Sequence, residues 1–140
     1  MNAVRVVLDT NVLVAGLRCS GGASHQIILA VLRRDVVPLI SVPLVLEYEE
    51  VLKRPNLLPH LTPNHVDIFL DLWCSRCLEQ KVFFDWRPAL PDPDDDMLLE
   101  LATAGGVGLV TSNVRDFTEA IRFGVQVVTP GEFVSWLKRR

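Results

Sequence analysis

Short apolar runs alternate with longer amphipathic stretches along this chain. Val4 to Leu8 is a β-branched run and predicts a buried strand. Ser24 to Arg33 predicts a helix, with Ile27, Ile28, Val31 and Leu32 on one side. Val36 to Ser41 predicts a second strand. Its Pro38 cannot donate to a ladder, which suggests an irregularity or an edge position. Pro43 suits the first turn of a helix running through Lys53. After a loop from Pro55 to Pro63, Asn64 to Gln80 predicts a long helix carrying Val66, Phe69, Leu70, Trp73 and Leu78. Val82 to Phe84 predicts a third strand, and the proline-rich stretch from Trp86 to Pro91 a loop. Pro93 to Ala104 predicts a helix ended by Gly105-Gly106. Strands follow at Val107 to Val110 and Val125 to Val128. Between them, Ser112 to Ile121 holds a loop and a short helix. Pro130 to Leu137 closes the series as a helix.

Strands that alternate with helices, and that are apolar on both faces, imply an α/β fold with a parallel sheet covered on both sides. No repeat or low-complexity stretch interrupts the pattern. At 140 residues the chain is expected to form one domain, residues 1–140. Hydrophobic residues make up 49% of it, which excludes general disorder. No apolar run approaches the roughly 20 residues of a membrane span. Asp9 interrupts the apolar N-terminus at once, so a signal region is not expected. The expectation is a soluble, cytoplasmic protein.

The net charge of −3 argues against a binder of nucleic acid driven by bulk charge. Basic residues do cluster at Arg33-Arg34, Lys53-Arg54 and Lys138 to Arg140, where they also suit helix ends. Cys74 and Cys77 have the spacing of a metal or redox pair, with Cys19 as the third thiol. His25, His60, His65 and Cys19 stand at no standard zinc spacing. Reduced, helix-borne thiols, one facing the core, are the expectation.

The acids are more informative. In sheets of this kind the ligand site lies beyond the carboxyl ends of the strands. Asp9 ends the first strand there, and its desolvation calls for a partner or a role as helix N-cap. Thr10 is available to cap the following helix. Asn11 is placed to hydrogen-bond Asp9 or a bound water. Glu47 sits at the boundary of a helical apolar stripe with Leu44 and Val51, whereas Glu49 looks solvated. In Asp92-Pro-Asp-Asp-Asp96, Asp92 suits an N-cap, and acids in the first turn suit the helix dipole. Asp95 shares the apolar stripe of Leu98, Leu99 and Ala102 and is the inward candidate. Asp96 shares the wetter strip of Glu100 and Thr103 and is the second candidate. Thr111, Asn113 and Asp116 follow another apolar strand directly. Converging carboxylates repel one another unless cations sit among them, and oxygen-only ligands favour Mg²⁺ or Mn²⁺. That chemistry suits phosphodiester hydrolysis, which needs an activated water and neutralisation of a developing oxyanion.

At these residues the chain resembles the PIN domain family of VapC-type toxins. Leu8-Asp-Thr-Asn-Val-Leu-Val14 is similar to the family's first motif, and Val45-Leu-Glu-Tyr48 to its helix acid. Asp92 to Ala102 is similar to the third motif, and Thr111-Ser-Asn-Val-Arg-Asp-Phe117 to the fourth. The resemblance implies a three-layer α/β/α sandwich with a five-stranded, mostly parallel sheet. It implies a Mg²⁺- or Mn²⁺-dependent ribonuclease, usually a homodimer and often silenced by a cognate antitoxin. Carried over, the metal-binding acids are Asp9, Glu47, Asp95 and Asp116. Asn11, Thr111 and Asn113 are then supporting positions, and Asp96 stays an alternative to Asp95. Some branches carry an acid at the position of Asn113, and its absence bears on a second metal. A HAD-type phosphatase would need an acid at position 11, where Asn stands. A response-regulator receiver would need a late Lys, and none follows Val107 until Lys138. The competing expectation is a non-catalytic PIN-like module that binds RNA or protein.

Overall fold

The computed structural model describes residues 3–82 and 93–140. In chain order its elements are β1 (Val4–Leu8), α1 (Thr10–Arg18), α2 (Ala23–Leu32), β2 (Val36–Ile40), α3 (Val42–Leu52), α4 (Pro63–Ser75) and β3 (Leu78–Glu79). There follow α5 (Pro93–Gly105), β4 (Gly108–Val110), a 3₁₀ segment (Val114–Phe123), β5 (Val127–Val128) and α6 (Pro130–Arg139). The five strands form one sheet in the order β3-β2-β1-β4-β5, and every recorded pairing is parallel. Neighbouring β1 residues point to opposite faces, yet Val6, Val7 and Leu8 are all buried. Helices therefore cover both sides, with α5 on β1, β2 and β4, and α2 on β2 beside α1 and α6. Among the described residues no helix is long and apolar enough to cross a membrane.

Local chemistry sets the helix starts. Ser41 accepts from the Leu44 amide at the head of α3, next to Pro43. Thr62 with His65, and Thr129 with Glu132, form reciprocal capping boxes at α4 and α6. Lys53 bridges Glu49 at 2.9 Å and Asp67 at 2.7 Å, joining α3 to α4, so Glu49 is half-exposed and paired, not fully solvated.

Three expectations are corrected. Pro38 is buried inside β2, a strand flanked on both sides. It pairs with Val6 of β1 in register, while β3 begins only level with Leu39, opposite Leu78. The Gln80 amide bonds the Ile40 carbonyl, so alternate β2 residues, Pro38 included, turn their backbone groups toward β3. The missing N–H thus faces the side where pairing has not begun. The long fourth helix stops at Ser75, not Gln80, with Cys77 N–H closing a turn onto the Cys74 carbonyl. No Gly or Pro marks that end, so the apolar period runs on through Leu78, which instead joins the sheet. The third strand is therefore Leu78–Glu79, earlier than Val82–Phe84. Val82 lies outside any strand, and positions 83 and 84, the loop at 86–91 and the Asp92 cap lie outside the described residues. Cys74 is helix-borne but Cys77 follows the helix; all three thiols are free, and burial pushes the Cys77 thiol well up.

The α1–α2 corner depends on Gly16. A Cβ there would collide with the Ile28 side chain and approach the Ser24 carbonyl oxygen to 2.9 Å. We expect Gly16→Ala to destabilise the fold by about 1–3 kcal/mol through overpacking, read by urea denaturation. Unchanged stability would show that α1 and α2 separate without cost.

Candidate active site

The carboxyl edge of the sheet carries the site. Val6, Val7 and Leu8 are buried, and Asp9 is the next residue, at the head of α1. It occupies the N-cap position, but its side chain makes no capping hydrogen bond, and Thr10 lies inside the helix instead of capping it. The Asp9 carboxylate is used elsewhere. Thr111 Oγ1 donates to Asp9 Oδ2 at 2.8 Å, and Asn11 Nδ2 reaches the same oxygen at 3.3 Å. Asn11 also contacts Thr111 Oγ1 at 3.3 Å and accepts from the Ser112 amide at 3.2 Å. The Asn113 amide donates to Thr111 Oγ1 at 3.0 Å, and the Asp9 amide to the Val110 carbonyl at 3.0 Å. These bonds tie the ends of β1 and β4 into one polar unit. Thr111 is fully buried within it.

Pairing of β1 with β2 is recorded only as far as Val6–Pro38, below the site. The Leu8 carbonyl instead accepts from Tyr48 Oη of α3 at 2.5 Å. Tyr48 is fully buried, so this bond fixes α3 against the end of β1. The preceding residue, Glu47, then receives Thr10 Oγ1 at 2.5 Å. Neither Thr10–Glu47 nor Tyr48–Leu8 was visible in the sequence, because both need the α3-to-β1 packing.

Burial raises the Asp9 carboxyl above the usual carboxylate range. The Thr111 hydroxyl and the nearby amides of Thr10 and Asn11 oppose this, and the charge of Asp116 adds to it. The Tyr48 hydroxyl is likewise pushed well up, first by burial and also by Cys77, Asp9 and Glu47. Asp9, Glu47 and Asp116 thus share one electrostatic neighbourhood. Asp116 itself is exposed, in the first turn of a 3₁₀ segment that kinks at Phe117, and Asn113 is exposed beside it.

Asp95 and Asp96 stand in the first turn of α5, at the same edge of the sheet, since α5 runs back to enter β4. Their exposures reverse the expectation. Asp96 is 3% exposed, while Asp95 is half-buried. The apolar stripe of Leu98, Leu99, Leu101 and Ala102 does face the core. Beyond the sheet, α5 also packs against α3 and the 3₁₀ segment. Both acids take part in interactions and are not idle charges. Among the described residues no three His, Cys, Asp or Glu side chains surround a single point.

Comparison with known proteins agrees with this architecture. The PIN domain profile matches residues 5–115, and the chain belongs to the PIN domain family. Asp116 lies one residue beyond that match. A solved structure, VapBC2 from Rickettsia felis bound to a DNA fragment from their promoter, contains a chain of similar fold. The TM-score is 0.59 at 16% identity, covering 90% of this chain and 98% of that one. No protein of curated function matches.

The raised Asp9 carboxyl has a stability consequence. A carboxyl whose folded pKa lies above its unfolded value stabilises the fold at acid pH, and that contribution is lost as pH rises through the folded value. In EDTA at neutral pH, Asp9→Asn is therefore expected to melt higher than wild type, with the difference closing as pH falls through the raised folded value toward the unfolded value of about 3.9. A lower melting point for the variant at neutral pH would contradict the desolvation of Asp9. Separately, Tyr48→Phe leaves the buried Leu8 carbonyl without its donor and is expected to cost about 1–3 kcal/mol in chemical denaturation.

Proposed function

We propose that this chain is a Mg²⁺- or Mn²⁺-dependent ribonuclease that hydrolyses RNA phosphodiester bonds, and that it is the toxin of a toxin–antitoxin pair. The observation that carries the reading is the uncompensated charge at Asp9. A desolvated carboxylate stands next to a second one, Asp116, and among the described residues neither makes an ion pair with Lys or Arg. A divalent ion would relieve both.

The donors fit such an ion chemically. Asp9, Glu47, Asp95 and Asp116 offer only oxygen, which favours Mg²⁺ or Mn²⁺ over zinc. The fit rests on donor type and unbalanced charge, because among the described residues no cage of three acids stands ready. In this reading those four residues hold the metal, with Asp96 the alternative to Asp95. Asn11, Thr111 and Asn113 support it. When bound, the ion lowers the pKa of water and neutralises charge developing on the phosphate. Thr111 and Asn11 fix Asp9 Oδ2. Thr10 orients Glu47. The side-chain amide of exposed Asn113 is available to a phosphate oxygen or a water.

Membership of the PIN family and the fold likeness to a VapBC2 complex support the pairing with an antitoxin, and a homodimer is the assembly we propose with it. So does exposed apolar surface. Val42 and Leu46 lie one turn apart on α3, 62% and 58% exposed, beside Glu47. Ile68 and Leu72 repeat that arrangement on α4. Patches of this kind suit a protein partner. The second reading is a non-catalytic binding module, for which the acids need not gather around one point, as among the described residues no three do.

The test is cleavage of labelled RNA in Mn²⁺ by pure protein. Wild type is expected to cut, and EDTA to stop it. Asp9→Asn should be slower by roughly 10²-fold or more, and Thr111→Val, which frees Asp9, by about 10- to 100-fold. Equal cleavage by wild type and Asp9→Asn would assign the activity to a contaminant and leave the module reading.

A further inference from the structure

We infer that the face around the end of α6 is a second RNA-binding surface, which holds a single strand away from the carboxylates. The argument rests on the RNA reading above only for the identity of the polymer. Two clefts flank α6. One, of about 610 Å³, is lined by Arg5 of β1, Arg139, Trp136 and Glu132 of α6, and Gln126. The other, of about 300 Å³, is lined by Arg33, Arg34 and Asp35 of the α2–β2 turn and by Lys138 and Arg140. Together they gather six basic side chains against two acidic ones, in a chain whose net charge is −3.

A helix dipole accounts for Lys138 and Arg139 in the last turn of α6. The dipole of α2 does the same for Arg33, its C-cap, and Arg34 beside it, but neither dipole accounts for Arg5, which comes from a strand, or for the meeting of two basic helix ends on one face. Among the described residues Arg5, Arg34, Lys138 and Arg139 make no ion pair, whereas Arg33 is held by Asp35 at 3.4 Å. Of the two acids, Glu132 is occupied in the capping box with Thr129. Arg5, Arg34, Lys138 and Arg139 thus converge with no ion pair among the described residues, which fits an external polyanion.

Trp136 selects the kind of polyanion. It is 43% exposed, with the Arg140 guanidinium 5.4 Å from its ring centre and Phe133 stacked at 5.9 Å. An exposed indole among cations offers bases a stacking surface, which single strands use and duplexes do not. The larger cleft also has direction. Its lining runs from Arg5 and Gly106, at the amino edge of the sheet, to Val110 and Val128, which end β4 and β5. Val110 directly precedes Thr111. At about 3.3 Å per residue that path is roughly 15 Å long, the span of a few nucleotides. The basic cleft and the Asp9 edge thus lie along the same strands, β1 and β4.

The experiment measures binding apart from cleavage. Asp9→Asn protein in EDTA is titrated into a labelled single-stranded RNA of about 20 nucleotides, and anisotropy is read across a salt series. The comparison carries Arg5→Gln, Arg34→Gln and Arg139→Gln in addition, with thermal melting as the control for folding. These changes are expected to weaken binding at least roughly tenfold and to lower the salt slope by about 2, at about 0.7 per phosphate contact. Trp136→Ala is expected to weaken RNA binding as well. Equal affinity with and without the three arginines overturns the inference, as does a failure of the parent protein to bind RNA. Tighter binding of duplex DNA of the same length overturns the choice of occupant. Because neither metal nor cleavage enters the assay, a failed ribonuclease test and a failed binding test are distinguishable.

Discussion

The hydrogen bond from Thr111 to Asp9 is the constraint on which the site depends. It joins the ends of two adjacent central strands, β1 and β4, through side chains instead of backbone. A carboxylate next to a buried strand is expensive to desolvate, and one strong donor is the least that holds it in charged form. Asn11 and the amides of Ser112 and Asn113 fix the geometry of that donor. Charge at Asp116 then works against it. The result is a rigid, electrostatically unfavourable carboxylate, the kind of group that marks functional sites.

The α/β frame exists to bring such groups together. Parallel strands all end at one edge, so any acid that follows a strand is delivered there. Helices that leave that edge bring the rest. α3 leaves after β2, and Tyr48 pins it to the Leu8 carbonyl where β2 no longer pairs. That places Glu47 within reach of Thr10. Packing, hydrogen bonding and charge are therefore coupled along one short stretch, from Leu8 to Asn11.

Much of this was legible in the sequence, because it follows from period and position. Five strands were expected and five are present among the described residues, four of them where the apolar runs stand. Asp9, Asn11 and Thr111 meet as their places at strand ends imply. What was not legible depends on tertiary cover. The end of α4 carries no breaker residue, so its stop and the place of β3 are set by the sheet edge. Asp96 is buried on a strip that the helical wheel leaves wet, in a helix that packs against both α3 and the 3₁₀ segment. Pro38 is tolerated in a flanked strand because β3 is too short to need its N–H. The basic face around α6 was visible only as scattered pairs until folding brought Arg5, Arg34 and Arg139 together.

The central claim is that the carboxylates around Asp9 form a divalent metal site. The most direct measurement is calorimetric titration of Mn²⁺ into wild type and Asp9→Asn at neutral pH and low salt. The account predicts binding to wild type that is abolished in a variant shown to be folded. No heat from a well-folded wild type, or equal binding by both proteins, would contradict it.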